Sequence, residues 1–167
     1  MKLVARCLCL CGLLISLTGC GFQLRGESAT VGQSLNQAAI ALVSVESHSE
    51  MVRAVNQALT AANAQLVSRE EAVWVLHLDR EAFQQRNLSL TVQARAAEIE
   101  LTLSIRFSLS RGENILIDNR AVQISRQMLN DPGNVVGKFE ELQLLKSEMR
   151  RDLAERLVQQ VDHSLQS

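Results

Sequence analysis

The sequence predicts an α+β fold, a two-layer sandwich in which two helices pack on one face of a roughly four-stranded mixed sheet, in the order β-α-β-β-β-α. Six apolar side chains alternate with polar ones along residues 98–110, which is the pattern of a long strand that is apolar on one face only. Residues 51–62 and 139–165 repeat apolar side chains at spacings of three and four, as amphipathic helices do. Because every element has one apolar face, the simplest burial puts both helices on the same face of the sheet.

The first strand and the first helix follow each other closely. Residues 39–46 form a compact apolar run with β-branched side chains, which is typical of a short central strand. Ser47 is followed three residues later by Glu50, the signature of a capping box. This pattern predicts a helix that starts there and ends near Asn63 or Ala64.

The next segments alternate in polarity and predict a long antiparallel ribbon. Residues 73–79 form a strand that we expect to continue beyond Arg80, with residues 81–87 as a bulge, turn or loop. Turn residues at 111–114 predict a hairpin, and residues 115–128 form the return strand, interrupted around residues 118–120. Pro132, the only proline, ends the sheet and precedes a long helix that we expect to cross it.

The amino terminus has the plan of a lipoprotein signal peptide. Lys2 and Arg6 precede an apolar run, residues 7–17, that is shorter than the roughly 20 residues a spanning helix needs. Residues 17–20, Leu-Thr-Gly-Cys, resemble the lipobox of bacterial lipoproteins. The resemblance implies removal of residues 1–19 and acylation of Cys20, and Gly21 in place of an aspartate makes the outer membrane the expected destination.

The sequence therefore divides into three parts. Residues 1–19 are the predicted signal peptide, residues 20–38 the lipidated amino terminus and lead-in, and residues 39–167 a single α+β domain. More than one acyl chain is needed for stable attachment, so the chains on Cys20 would hold the domain at a bilayer.

Charge and cysteine content exclude several functions. The net charge is −1, and loss of Lys2 and Arg6 with the leader makes it more negative, which argues against a general nucleic-acid binder. Three of the four cysteines leave with the leader, and Cys20 carries lipid. We therefore expect no disulfide, no thiol nucleophile and no cysteine-ligated metal in the mature domain.

No catalytic motif is recognisable. His48, His77 and His163 lack metal-ligand spacing, and the Gly-x-Ser-x-Gly motif of serine hydrolases is absent. The sequence thus predicts a protein that is not an enzyme, with neither catalytic nor metal-binding residues and no cofactor beyond the acyl chains on Cys20.

The predicted sheet leaves its second face polar and uncovered. The simplest account is a face in contact with water. A sharper hypothesis follows from the polar interior of large outer-membrane β-barrels, in which such a face could lie without desolvating apolar surface.

Residues 20–26, Cys-Gly-Phe-Gln-Leu-Arg-Gly, resemble the mature amino terminus of the LPS-assembly lipoprotein LptE family. The order of elements is similar, and residues 129–151 resemble the family's Asp-Pro turn into the last helix. The resemblance implies a non-enzymatic subunit of the outer-membrane translocon that plugs and helps assemble an LptD-type β-barrel and binds lipopolysaccharide. The chain departs from many members at Gln23, where they have histidine, and from longer members in ending at Ser167, soon after the last helix.

The same resemblance points to basic residues for lipopolysaccharide. Lys138 falls where the family has a basic residue linked to lipopolysaccharide, and Arg95 lies near the family's other basic position, although out of register with it. Arg86 and Arg106 are further candidates by placement alone. Arginine suits anionic glycolipids because its planar fork of donors matches phosphate. The alternative for each residue is a solvated surface charge.

A second function is compatible with an outer-membrane lipoprotein whose domain faces the periplasm. Such a protein could regulate a periplasmic enzyme such as a peptidoglycan synthase. A regulator of this kind is expected to carry a long disordered tether, whereas structure is predicted here from Ala39 onward.

Overall fold

The computed structural model describes residues 34–90, 96–129 and 135–166, all of which belong to one compact unit. The predicted signal peptide, Cys20, Arg95 and the Pro132 turn lie outside the described residues. The elements are, in order, β1 (Ala39–Ser44), α1 (Glu50–Ala61), β2 (Gln65–Leu66), β3 (Trp74–Leu78), β4 (Ala82–Leu90), β5 (Ala96–Arg111), β6 (Asn114–Leu129) and α2 (Val135–Leu165).

The sheet is mixed, as predicted. β1 pairs in parallel with β2 on one edge and with β3 on the other, and β3 pairs antiparallel with β5. β6 pairs with β5 from Glu98 to Arg111, so β3 and β4 both lie along the opposite edge of β5. The predicted α+β class with two helices on a mixed sheet is confirmed.

The described sheet has six strands, where the sequence indicated about four. Leu78 pairs with Phe107 and Ala82 with Ser104, so one extra residue between them forms a bulge that divides a single ribbon strand into β3 and β4. The predicted continuation beyond Arg80 is therefore confirmed. The prediction of a bulge, turn or loop at residues 81–87 is wrong for residues 82–87, which pair with β5 as part of β4. The other additional strand, β2, has two residues and is too short to show alternation.

The long hairpin of β5 and β6 follows the prediction closely. Each strand has 16 residues. Gly112 takes a φ of +57° in the two-residue turn, a conformation that glycine adopts without steric cost. The pairing shifts around Asn119, which has a φ of +41° and donates its N–H to Ser108 Oγ at 3.1 Å. The predicted interruption at residues 118–120 is thus a bulge in β6.

Helix α1 begins two residues later than the predicted capping box requires. Ser49 is the N-cap, and its Oγ accepts from the Val52 N–H at 3.3 Å. Ser47 instead bonds to His48 Nδ1 at 3.1 Å, so the capping box between Ser47 and Glu50 does not form. Glu50 stabilises the helix from its first turn, where the macrodipole favours an acid.

Helix α2 has 31 residues and packs across the sheet, as predicted. Polar contacts fix its position over the ribbon: Arg126 on β6 bonds to Asp152 at 2.5 Å, and Lys146 Nζ lies 4.3 Å from the centre of the Phe83 ring. Between Glu98 and Ser110, the side chains of β5 that point toward the helix layer are buried, and they are Ile99, Leu101, Leu103, Ile105, Phe107 and Leu109.

Candidate interaction face

The opposite side of the ribbon is a polar surface, which we call the open face. It consists of the side chains of β4, β5 and β6 that point away from the helices. Register places them in rows across the three strands, because Gln84 pairs with Thr102 and Thr102 with Ser125. Its polar members are Gln84, Arg86, Glu98, Glu100, Thr102, Ser104, Arg106, Gln123, Ser125 and Gln127.

The centre of the open face carries hydroxyl and amide groups. Thr102 Oγ1 lies 3.0 Å from Ser125 Oγ, and both remain in reach of solvent. One row further, Arg86 donates to Glu100 Oε2 at 2.9 Å, so opposite charges neutralise each other there. The result is a surface rich in hydrogen-bonding groups.

Arg106 lies at the end of the open face nearest the bulge between β3 and β4. Its guanidinium is 3.5 Å from the carbonyl oxygen and from Oδ1 of Asn119, at the outer limit of a hydrogen bond. In the described ranges it makes no ion pair with a carboxylate. It borders a depression of about 480 Å³ that is also lined by Asp79, Arg80, Ala82, Ser104, Ile105, Ala121 and Gln123. The guanidinium of Arg106 can therefore donate hydrogen bonds to an anionic group.

The structure separates the basic residues named from the sequence. Arg86 and Arg106 share the open face, but they lie far apart on it. Arg86 pairs with Glu100, which precedes Arg106 by six residues on β5, so the two arginines are about 20 Å apart along the strand. Lys138 is on α2, in the helix layer. Arg95 lies outside the described residues.

Sequence reasoning missed the charged cluster around Arg150. Its side chain, 11% exposed, donates to both carboxylate oxygens of Glu81, with Nε 2.9 Å from Oε2 and Nη2 2.7 Å from Oε1, and it also bonds to Glu50. The hydrogen bonds that Arg150 donates to Glu81 raise the pKa of Arg150 above its ordinary value, against the effect of burial. No sequence signal could reveal the cluster, because Glu81 lies 69 residues from Arg150 along the chain.

The described residues offer no metal centre. Within residues 34–90, 96–129 and 135–166 there is no group of three or more His, Cys, Asp or Glu side chains that could hold a metal ion. In the same part of the chain, no helix combines the length and the apolar character needed to cross a membrane.

Comparison with known proteins gives a consistent result. The model of the family described as "LptE: Lipopolysaccharide-assembly" matches residues 35–161. The "LPS-assembly lipoprotein LptE" of Photorhabdus laumondii is 29% identical over 154 residues, which cover 91% of this chain and 82% of that protein. The protein of the same description in Yersinia pestis is 28% identical and covers 91% of this chain and 73% of its own.

Solved structures match as well. The crystal structure of rare lipoprotein B from Shewanella oneidensis aligns with a TM-score of 0.69 at 28% identity, covering 75% of this chain and 95% of that one. The solution structure of lipoprotein B from Nitrosomonas europaea aligns with a TM-score of 0.67 at 20% identity, covering 85% and 90%, and supports the fold alone.

Proposed function

The chain belongs to the LptE lipopolysaccharide-assembly family, and from this membership we propose that it is an outer-membrane lipoprotein that plugs and helps assemble an LptD-type β-barrel and contacts lipopolysaccharide during its delivery to the outer leaflet. In this proposal Cys20 carries the acyl anchor, and the domain faces the periplasm or lies inside the barrel lumen. The domain binds and positions its partners and carries out no catalysis.

The observation that carries the proposal is the difference between the two faces of the ribbon. The covered face is apolar and packs against α2, whereas the open face presents hydroxyl, amide and a few charged groups. The interior of a large outer-membrane barrel is polar. The open face can therefore lie against such a wall by exchanging hydrogen bonds with water for hydrogen bonds with protein, at little desolvation cost.

Barrel docking can be tested by placing charge at the centre of the open face. We expect Thr102→Glu combined with Ser125→Glu to reduce co-purification of a large β-barrel at least tenfold, because two adjacent carboxylates repel and resist burial. The protein, tagged after Ser167, would be purified from solubilised outer membranes. Gln159→Glu, an exposed change on α2, is the matched control. Recovery of a peptidoglycan synthase in place of a barrel would contradict the proposal and favour the regulator.

For the lipopolysaccharide contact, Arg106 is supported by its lack of a carboxylate partner and by the depression beside it. We expect Arg106→Glu to weaken capture of purified lipopolysaccharide about tenfold, since a charge-assisted hydrogen bond contributes about 1.5–3 kcal/mol. Arg156→Glu, an exposed arginine of α2 without an ion pair in the described residues, is the control.

A separate variant tests the residues taken from the family resemblance. Lys138→Glu with Arg95→Glu is expected to weaken capture as well. Unchanged capture by this double variant removes both residues from the proposed contact, and unchanged capture by Arg106→Glu removes the open face from it.

A further inference from the structure

The segment just before β1 is held by the buried carboxylate of Asp162, near the end of α2. The N–H groups of Ser34 and Leu35 donate to Asp162 Oδ1 at 3.0 and 3.1 Å. Asp162 is 4% exposed, and Leu35, with 0% exposure, belongs to the hydrophobic core. Gln166 Nε2 approaches Asp162 Oδ2 at 3.4 Å. Residues 34 and 35 are therefore fixed to the last turns of α2.

These hydrogen bonds explain why a carboxylate is present at this buried position. Ser34 and Leu35 precede β1, so sheet pairing does not satisfy their N–H groups. A buried carboxylate is costly unless donors surround it, and backbone N–H groups on a charged oxygen form strong hydrogen bonds. The next contact, from the Gln37 N–H to the Asn63 carbonyl oxygen at 2.8 Å, continues the attachment to the start of β1.

We propose that Asp162 is a positioning residue: it fixes the point at which the domain begins after residues 20–33, the segment that carries the proposed acyl anchor and is called the tether below. It thereby limits the distance between the domain and the membrane. This inference rests on the proposed acylation of Cys20. Residues 20–33 connect that cysteine to Ser34, and a chain of this length spans at most about 50 Å. Release of Ser34 and Leu35, the two residues that Asp162 holds, would lengthen the connection by about 7 Å.

Hydrogen exchange of the full lipidated chain in nanodiscs tests the contact directly. We expect Asp162→Ala to speed exchange of the Ser34 and Leu35 amides at least tenfold while exchange in α1 and β5 stays unchanged. Asp152→Ala is the matched control, because Asp152 is another carboxylate of α2 and bonds to Arg126 on β6. We expect this variant to leave the Ser34 and Leu35 amides protected. Unchanged exchange at residues 34 and 35 in Asp162→Ala overturns the proposal.

A conservative variant covers the case in which Asp162→Ala does not fold. Asp162→Asn fills the same space and keeps one carbonyl oxygen but loses the charge. We expect the two amides to exchange several times faster than in the native protein. Exchange equal to that of the native protein would show that the charge is not needed, and would refute the role of the carboxylate.

Tether length provides a readout that a purely structural role would not change. A donor dye on Gln159→Cys and acceptor dyes on lipid headgroups report the distance from the domain to the bilayer. Deletion of residues 29 and 30 should shorten this distance, and adding Asp162→Ala should restore it, because Ser34 and Leu35 then extend the connection by two residues. Failure to restore the distance contradicts the proposal. If the native chain does not associate with nanodiscs, the proposed anchor is wrong, while amide exchange on the free protein still decides the role of Asp162.

Discussion

The two faces of β5 differ in burial and in polarity, although their residues alternate along one strand. Leu101 and Leu103 have no exposed surface, whereas Thr102 and Ser104 between and beside them remain in reach of solvent. Helix α2 packs on the first face, whose side chains belong to the hydrophobic core. Stability is therefore concentrated on the covered face, and the open face can carry recognition without weakening the fold.

The largest expected effect comes from truncation on the covered face. Leu103→Ala should lower the free energy of unfolding by about 3 kcal/mol, because the lost methyl groups leave a cavity between the sheet and α2. Its neighbour Thr102→Ala, on the open face, should change it by about 0.5 kcal/mol at most. Urea unfolding of the two purified variants measures both values. Similar losses in the two variants would contradict the division of roles between the faces.

Arg150 tests whether charge on the helix side also contributes to stability. Arg150→Ala should cost about 2 kcal/mol, since it leaves the partly buried carboxylate of Glu81 without its cation. Adding Glu81→Gln should recover part of the loss, because it removes the uncompensated charge. Glu148→Ala, an exposed change on the same helix, is the control in urea unfolding. A loss below about 1 kcal/mol would show that the cluster is dispensable.

The smallest effect is expected for the ion pair of the open face. Arg86 is 73% exposed in its contact with Glu100, so Arg86→Ala should change the free energy of unfolding by about 0.5 kcal/mol or less. Urea titrations at low and high salt measure this change in the free energy of unfolding, and the change should disappear at high salt. A loss as large as that of Arg150→Ala would mean that the open face also stabilises the fold.

The alternating pattern of β5 was informative because both of its faces follow one rule over the whole strand. The apolar residues at every second position from Ile99 to Leu109 predicted the covered face. The polar residues that alternate with them predicted the open face, which Arg86 and Arg106 share. The sequence predicted a bulge, turn or loop at residues 81–87, but the period could not place the bulge between Leu78 and Ala82, since one extra residue changes which face a side chain occupies without changing its chemistry. The period also gave no sign that Arg86 pairs with Glu100, because this pairing depends on the register between β4 and β5.

Helix starts show a second limit of local patterns. Ser47 and Ser49 are both suitable N-caps, and the spacing to Glu50 favoured Ser47. The structure uses Ser49. Residues 45–48 form the turn that follows β1, in which the Ser49 N–H donates to the Glu46 carbonyl oxygen at 3.0 Å, so Ser47 lies outside the helix.

The sequence by itself determined the α+β class, the long hairpin, the two amphipathic helices and the polar face of the ribbon, because all of these follow from the period of apolar residues along the chain. Only the tertiary structure decided the contacts of Arg150 with Glu81 and of Asp162 with Ser34 and Leu35. Their members are separated by 69 residues and by more than 120 residues along the chain, and a charged side chain carries no local signal of the partner that will bury it.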